Sequence, residues 1–288
     1  MQTQRCDEDL DGVTLRQLLD RQATAGPDQP VWLPDGSGIA IKSTRAGKPV
    51  VLLVDPTTGG QRELVSDMGS LPFLSSPLLT VSPDGRWIAY VGNGGATDGR
   101  EQSSRVEILL QPLDGGEART LTRVNANINA YSWAPDGLSI VFSANRYGRY
   151  DIFRVSVPDG RMQRLTDDVR YEVYPVVTGD ESHIAYVRLN ETWTNHEIVV
   201  MTIDGKFVRI AAEDTDFFDY HYGRKFGYPL VTPDASHVVF PSHRSGWINY
   251  WRAPLRGGEP MPVHAQASDQ SDGALSPVSY THLRAHET

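Results

Sequence analysis

The chain has 288 residues, and its 27 lysines and arginines against 36 aspartates and glutamates leave a formal net charge of −9. This length allows one large domain or two modest ones, with a sizeable buried core. The acidic balance, without a block of basic residues, argues against nucleic acid or an anionic membrane surface as the main partner. The single cysteine, Cys6, excludes an internal disulfide framework and a cysteine-based metal site. No apolar run reaches the length of about 18 residues that suggests a transmembrane helix.

Residues 1–27 are predicted to form an N-terminal tail. Its one helical pattern is short, from Thr14 to Leu19, where Leu15, Leu18 and Leu19 fall on one face. The start of the chain is polar and lacks the apolar segment of a secretory signal. We therefore expect a cytoplasmic location, with a periplasmic or secreted one as the alternative if the native N-terminus lies further upstream.

A turn motif repeats along residues 28–277, the region that we predict to be the folded domain. Its clearest copies are Trp32-Leu33-Pro34-Asp35-Gly36, Val81-Ser82-Pro83-Asp84-Gly85 and Trp133-Ala134-Pro135-Asp136-Gly137. Weaker copies are Val177-Thr178-Gly179-Asp180, Val231-Thr232-Pro233-Asp234 and Leu275-Ser276-Pro277. The positions that match the proline are 34, 83, 135, 179, 233 and 277, so the spacing is 44 to 54 residues. A period of about 40 to 50 residues is typical of the blades of a β-propeller.

Each copy of the motif is followed by the same succession of elements. An alternating apolar run comes first (Trp87–Val91), then a polar loop, a further strand (Tyr150–Val155), a second tight turn (Asp114–Gly116) and a fourth strand (Arg119–Thr122). Four short strands joined by tight hairpins are the pattern of a propeller blade. We predict an all-β fold, an incomplete β-propeller of about five four-stranded blades plus the first strand of a sixth. The approximate units are 28–67, 75–123, 128–168, 172–213 and 226–265, and the sixth begins at 271–277.

The large apolar side chains of these strands are predicted to pack between blades. A single blade cannot bury both faces of its sheet, so blades stack face to face around an axis. We therefore expect core packing for most of a set of aromatic residues: Trp32, Trp87, Trp133, Phe142, Phe153, Tyr186 and Phe240.

The glycine of the turn motif is expected to adopt a left-handed conformation, which completes the three-residue hairpin. Two copies depart from glycine, because Glu181 and Ala235 occupy this position. If Ala235 is left-handed it carries strain, and its replacement by glycine should stabilise the protein by about 1 kcal/mol.

The order of connections in an up-and-down blade separates two faces. The first and third connections emerge on one face, and the second connections and the crossovers between blades emerge on the other. Function is expected on the second face, because it carries the variable segments. These segments are Gly92–Ser104, Ser143–Tyr150, Arg188–His196, Ser242–Asn249 and the crossover Asp214–Tyr228.

Three arginines, Arg45, Arg146 and Arg244, occupy one repeating position in the second connections. Recurrence favours a structural role, in which each guanidinium bonds neighbouring carbonyl groups. Arg244 with Trp247 is the pair that we assign first to binding of a substrate carboxylate or carbonyl.

The segment from Asp214 to Arg224 is the least repeat-like stretch, with several rings and carboxylates. It either contacts a peptide or ligand, packs against a further domain, or seals one end of the ring with its aromatic side chains. The residues predicted to contact a substrate or partner are Arg244, Trp247, Arg146, Tyr147, Asp216, Tyr220, His221 and Tyr222.

The repeat of this chain is similar to the repeats of known propellers. The stretch from Ser132 to Phe153 and on to Thr166 resembles a Trp-Ser-Pro-Asp-Gly repeat. Such repeats occur in TolB-type propellers and in the N-terminal propeller of prolyl oligopeptidase-type serine peptidases, and the resemblance covers about residues 30 to 277. The loop Ser242-His243-Arg244-Ser245-Gly246-Trp247 is similar to the Ser-x-Arg-x-Gly loop common in the peptidase propellers.

The resemblance to the peptidases implies that catalysis belongs to a C-terminal α/β-hydrolase domain with a Ser-Asp-His triad and a Gly-x-Ser-x-Gly motif. That motif does not occur in this sequence. We therefore expect no catalytic residue, cofactor or metal in this chain. We expect instead a propeller that gates or docks peptide substrates for a missing hydrolase domain, in a parent that is a serine peptidase.

Two alternatives stay open. The first is a TolB-like scaffold without enzymatic activity, whose partner is another protein. The second is a glycosidase propeller with paired carboxylates near its axis, for which Glu172 and the Asp214–Asp219 cluster supply acidic residues on too few blades. The repeat stops in mid-turn at Pro277, so we expect a truncated propeller followed by a non-native tail over residues 278–288.

Overall fold

The computed structural model describes residues 30–66, 68, 79–92, 106–192, 194–215, 229–242, 244–245 and 249–263, together with the strand pair at 9–10 and 13–14. All regular structure in these ranges is β-strand, without a helix. The chain divides into two compact units, residues 1–129 and 130–288. The start of a sixth blade at 271–277 and the tail at 278–288 lie outside the described residues.

The N-terminal strands are β1 (Asp9–Leu10) and β2 (Val13–Thr14), which pair antiparallel. The helix predicted from Thr14 therefore does not begin there, because Thr14 pairs with Asp9 in a strand. Threonine and valine are β-branched, which favours an extended backbone over a helix. Residues 15–19 of the predicted helix lie outside the described residues.

The first unit contains two four-stranded antiparallel blades. Blade 1 consists of β3 (Val31–Trp32), β4 (Ile39–Arg45), β5 (Lys48–Val54) and β6 (Gln61–Val65). Blade 2 consists of β7 (Thr80–Val81), β8 (Trp87–Gly92), β9 (Glu107–Pro112) and β10 (Arg119–Thr120). In both blades each strand pairs with the next one in the chain.

The second unit contains most of blade 3, whose first strand spans the boundary between the units, and all of blades 4 and 5, with the same order of pairing. Blade 3 consists of β11 (Ile128–Trp133), β12 (Ser139–Ala144), β13 (Asp151–Ser156) and β14 (Met162–Arg164). Blade 4 consists of β15 (Tyr171–Val177), β16 (His183–Leu189), β17 (Asn195–Thr202) and β18 (Phe207–Thr215). Blade 5 consists of β19 (Leu230–Val231), β20 (His237–Ser242), β21 (Asn249–Pro254) and β22 (Met261–Pro262). The prediction of an all-β propeller fold with five four-stranded blades is confirmed.

The core lies between the faces of neighbouring blades. In the first unit one cluster joins blades 1 and 2 through Ala40, Val51, Leu79, Ile88 and Tyr90. In the second unit one cluster joins blades 3 and 4 through Val141, Ile152, Ile184, Tyr186 and Val199, and another joins blades 4 and 5 through Val187, Val200, Val238 and Phe240. Full burial of such a side chain contributes about 1.5–3 kcal/mol relative to leaving it exposed.

The aromatic residues predicted to lie in the core divide into three groups, and Trp87 and Trp133 form the half-buried one. Phe142, Phe153, Tyr186 and Phe240 are buried, which confirms their assignment. Trp32 is 55% exposed, so its assignment was wrong. Its neighbours Val31 and Leu33 pack against the core cluster of the first unit. Because successive side chains of a strand alternate in direction, Trp32 points away from that cluster.

The turn motif adopts the predicted left-handed conformation. The φ angles are 72° at Gly36, 68° at Gly85 and 69° at Gly137. Glu181 (φ 56°) and Ala235 (φ 52°) adopt the same conformation without being glycine. The backbone of the motif is therefore retained where its glycine is not, and these two residues carry the strain expected of side chains in the left-handed region.

Candidate functional site

The second connections and crossovers of the second unit emerge on one side of its blades. Glu172 at the start of β15 donates its backbone N–H to the carbonyl of Tyr150, which precedes β13 (2.8 Å). The Ser242 hydroxyl at the end of β20 donates to the Asp214 carboxylate near the end of β18. These bonds join blades 3, 4 and 5. We call this surface the loop face, defined by the described residues among 143–151, 166–172, 188–197, 213–215 and 242–249.

Two arginines and two carboxylates form a closed network on the loop face. Arg188 bonds Glu197 at 2.6 Å and Asp168 at 3.3 Å. Arg170 bonds the same two partners, at 3.1 Å and 3.3 Å. Burial raises the pKa of Asp168, but hydrogen bonds from Arg170 and the charges of both arginines outweigh it and hold that pKa below its ordinary value. The network balances its charges internally and ties the crossover before β15 to strands β16 and β17.

Two further carboxyl groups lie deeper, at the boundary between blades 3 and 4. Asp151 and Glu172 are each only 1% exposed. Arg164 donates to Asp151 at 3.0 Å, and the Tyr186 hydroxyl donates to Glu172 at 3.2 Å. Burial raises the pKa of Asp151 above its ordinary value and that of Glu172 to about 7. Glu172 was noted in the sequence only for the glycosidase alternative, and Asp151 was not singled out.

Arg244 is held by the protein on several sides. It donates to the Glu213 carbonyl at 2.9 Å and to the Ser242 hydroxyl at 2.8 Å, and it lies 3.8 Å from the Asp214 carboxylate. Its guanidinium lies 4.9 Å from the centre of the Trp251 ring. The bond to a neighbouring carbonyl is the structural role that the recurrence of this arginine predicts. Two of its five N–H donors are engaged in these hydrogen bonds, and the side chain remains 22% exposed.

The other two arginines of the repeating position have different surroundings. Arg45 bonds the side chain of Gln61 at 3.2 Å and lies 3.5 Å from Glu63, within its own blade. Arg146 stacks on its neighbour Tyr147, 5.7 Å from the ring centre. Among the described arginines of this set, the carbonyl-bonding role is therefore seen at Arg244.

Tyr147 is the exposed aromatic residue among the predicted contact residues that the structure describes. Its side chain is 60% exposed, in the connection between β12 and β13. Arg164 lies over the same ring as Arg146, at 4.7 Å, and Phe153 lies 6.3 Å away. A guanidinium stacked on an aromatic ring keeps its N–H donors at the rim of the ring, where they can meet a carbonyl or carboxylate.

A cavity of about 340 Å³ opens on the loop face at blade 4. Its lining residues come from the start of β17 and the end of β18: Asn195, His196, Glu197, Glu213 and Asp214. These two ends meet because Asn195 pairs with Thr215 across the strands. Sequence reasoning did not assign His196 or Glu197, and the signal that could have found them is the strand register.

The remaining predicted contact residues, Trp247, Asp216, Tyr220, His221 and Tyr222, lie outside the described residues. Their roles stay predictions. Within the ranges that the structure describes, the histidine and acidic side chains are not grouped in threes in a way that could hold a metal ion.

The family of the chain is shown by comparison with known proteins. The family model described as TolB beta propeller domain matches residues 8–218, which is more than half of the chain. The chain therefore belongs to the TolB-type β-propeller family.

The chain is similar to proteins of two kinds. It is 29% identical over 145 residues to the uncharacterized peptidase YuxL of Bacillus subtilis, an alignment that covers 40% of this chain and 21% of YuxL. It is also similar in structure to TolB from Acinetobacter baumannii (TM-score 0.57, 20% identity, 80% of this chain and 55% of that one). A puromycin-hydrolyzing peptidase of Mycobacterium tuberculosis has a TM-score of 0.60 at 18% identity, over 82% of this chain and 37% of the peptidase. At these identities the structural matches show the fold alone.

The chain spans only part of its relatives. It covers 56% of an uncharacterized protein of Agrobacterium fabrum to which it is 27% identical over 179 residues. In the described part of the chain, no helix has the length and apolar character required to cross a membrane.

Proposed function

We propose that this chain is the non-catalytic propeller portion of a prolyl oligopeptidase-type serine peptidase, and that its loop face gates or docks peptides for a C-terminal α/β-hydrolase domain. The observation that carries the proposal is the match to YuxL, in which a peptidase shares about a fifth of its length with this chain. The missing Gly-x-Ser-x-Gly motif is consistent with chemistry performed by another part of such a parent.

The loop face has the groups that peptide recognition requires. Tyr147 offers an exposed ring, and Arg146 offers donors beside it. Arg244 is preorganised by its bonds to Ser242 and Glu213, so it loses little conformational freedom when its remaining donors bind a peptide carbonyl. We assign peptide contact to these three residues first, and to Trp247, Asp216, Tyr220, His221 and Tyr222 of the neighbouring loops.

The first test uses the full-length protein from an intact copy of the gene. A reading frame that continues into a domain with Gly-x-Ser-x-Gly, together with covalent labelling of that serine by a fluorophosphonate, supports the proposal. The 288-residue chain alone should remain unlabelled. A reading frame that ends after a further blade without a nucleophile motif would overturn it.

The second test asks whether the loop face contacts the peptide. In the full-length enzyme, Arg146→Ala should raise KM for oligopeptides several-fold and leave kcat for a small chromogenic ester unchanged. Arg161→Ala is the matched control, because Arg161 is an exposed arginine of the same blade in the connection between β13 and β14, on the opposite face. Equal effects of the two substitutions would contradict a role of the loop face.

A second candidate function is a TolB-like scaffold that binds another protein without enzymatic activity. The family match and the structural likeness to TolB from Acinetobacter baumannii favour it. The same reading-frame test separates the two candidates, because a secretory signal upstream and a stop after one more blade support the scaffold. The glycosidase alternative requires carboxylates near the axis on several blades. It finds little support, since Glu172 on β15 is the one carboxylate in the described first strands of the five blades.

A further inference from the structure

Two buried carboxyl groups meet where blade 3 packs against blade 4. Asp151 is the first residue of β13, and Glu172 is the second residue of β15. The backbone links the two positions, because the Glu172 N–H donates to the carbonyl of Tyr150, the residue before Asp151. The N–H of Ile152 donates to the Thr166 hydroxyl at 2.8 Å, which brings the start of the crossover from β14 to β15 to the same place.

Each carboxyl group has one oxygen in a direct hydrogen bond and a second oxygen without a hydrogen bond of normal geometry, although the Thr166 hydroxyl lies close enough to Glu172 to lower its pKa. Asp151 Oδ1 accepts from Arg164, and Glu172 Oε1 accepts from the Tyr186 hydroxyl. Asp151 Oδ2 and Glu172 Oε2 are buried and have no hydrogen-bond partner of acceptable geometry among the described residues. An unpaired charged oxygen in the interior is costly, whereas a protonated carboxyl group is neutral and supplies a donor of its own.

The cations near this boundary are engaged elsewhere. Arg170 and Arg188 bond Asp168 and Glu197, and Arg164 bonds Asp151. Arg188 pairs with Glu172 across β15 and β16, but its guanidinium bonds Glu197 and Asp168, so no arginine among the described residues forms an ion pair with Glu172. The charged and titratable groups around it, from β13 to β17, are Asp151, Arg164, Asp167, Asp168, Arg170, Tyr186, Arg188 and Glu197.

We propose that Glu172, coupled to Asp151, holds a proton at neutral pH and makes the boundary between blades 3 and 4 a pH-sensitive joint that loosens the loop face when the proton is lost. Loss of the proton leaves two buried carboxylates on facing strands, and like charges in a desolvated site repel each other strongly. The loop face lies directly over this boundary. Opening of the loop face is therefore coupled to the charge of Glu172.

The direction of the pH dependence follows from the site. Burial, with the negative charges of Asp168 and Asp151, raises the pKa of Glu172 from 4.5 to about 7, although the hydroxyls of Thr166 and Tyr186 lower it in part. In the unfolded chain the group ionises near 4.5, so the folded state binds the proton more tightly. The contribution of the protonated group to stability is complete below pH 4.5 and is lost as the pH rises through 7.

The main experiment compares urea unfolding of the wild type and Glu172→Gln at pH 5 and pH 8. Glutamine keeps the size of the side chain and cannot ionise. Between these pH values the unfolding constant of the wild type, relative to the variant, should rise on the order of 50- to 100-fold. Glu197→Gln is the matched control, because it makes the same exchange at an acidic residue of β17 that bonds Arg170 and Arg188. Parallel pH dependence of the wild type and Glu172→Gln would overturn the proposal.

A second measurement uses the wild type alone and does not depend on the folding of a variant. Exchange of the Glu172 N–H, which bonds Tyr150 across the boundary, should accelerate from pH 6 to pH 8 more than that of the Thr178 N–H. Thr178 follows the far end of the same strand and bonds His183 within blade 4. Equal pH dependence of the exchange rates of the two amides would overturn the proposal of a pH-sensitive joint.

A carbon-detected NMR titration of the Glu172 carboxyl separates a proton from a metal cation. A midpoint near 7 that millimolar Ca²⁺ leaves unchanged supports the proposal. A midpoint near 4.5 would overturn it, and so would a midpoint that Ca²⁺ lowers, because the site would then hold a cation. These readouts concern the propeller itself, so they stand or fall independently of the peptidase assignment.

Discussion

The strained turn at Ala235 gives a direct test of the repeat. Ala235 has a φ of 52° and donates its N–H to the Thr232 carbonyl at 2.8 Å, as Gly85 does to Ser82 at 2.9 Å in an equivalent turn. A left-handed backbone costs an L-residue about 1–2 kcal/mol, and glycine avoids this cost. Glycine also has more freedom to lose on folding, which offsets about 0.5–1 kcal/mol. Ala235→Gly should therefore stabilise the protein by roughly 0.5–1 kcal/mol.

The assay is urea unfolding at 25 °C, where 1 kcal/mol changes the unfolding constant about fivefold. The matched reverse substitution is Gly36→Ala, because Gly36 has a φ of 72° and a Cβ there would meet no atom within 4 Å. Gly36→Ala tests conformation without a clash and should destabilise by about 1 kcal/mol. If Ala235→Gly lowered stability while Gly36→Ala also lowered it, strain at Ala235 would be the wrong explanation of this turn.

Three other substitutions probe separate features. Gly205→Ala should destabilise the protein by about 2–4 kcal/mol, more than Gly36→Ala. The φ angle at Gly205 is 92°, and a Cβ there would lie 2.9 Å from the Leu165 carbonyl oxygen. Thermal unfolding measures this loss of stability. Asp180→Asn should weaken the dependence of the free energy of unfolding on pH in acid. Hydrogen bonds from neighbouring hydroxyls lower the pKa of Asp180 from 3.8 to about 2, so the stability that it provides is present above pH 3.8 and is lost as the pH falls through 2. An unchanged midpoint of acid unfolding would contradict this. Arg244→Lys should destabilise the protein by about 1–2 kcal/mol in urea unfolding. Lysine cannot reproduce both the bonds to Ser242 and Glu213 and the stacking on Trp251. Full stability of the variant would show that these contacts contribute little.

The turn motif and its period could be predicted from the sequence because they depend on neighbouring residues. Proline and glycine restrict or permit particular φ values locally, and the same turn therefore recurs at Gly36 and Gly137. The left-handed position of Ala235 was also foreseeable, since its turn keeps the Pro-Asp pair of the clearest copies and has Ala235 in place of their glycine. The error at Trp32 shows the limit of this reasoning, because a motif places a residue in a strand but does not say which face its side chain occupies.

The candidate site depended on contacts between blades. Arg244 could be singled out by its recurrence, but its carbonyl partner on Glu213 became visible only when β18 was placed beside β20. The cavity around His196 required the register of β17 with β18.

The sequence by itself determined the repeating four-stranded unit, because turn chemistry and the alternation of apolar residues act over a few neighbouring positions. Only the tertiary structure decided that Asp151 and Glu172 share one buried boundary. They are far apart in the chain, and their protonation depends on desolvation and on the charges of neighbouring blades. Burial and long-range electrostatics are properties of the packed blades, so the same two residues on an exposed loop would be ordinary carboxylates.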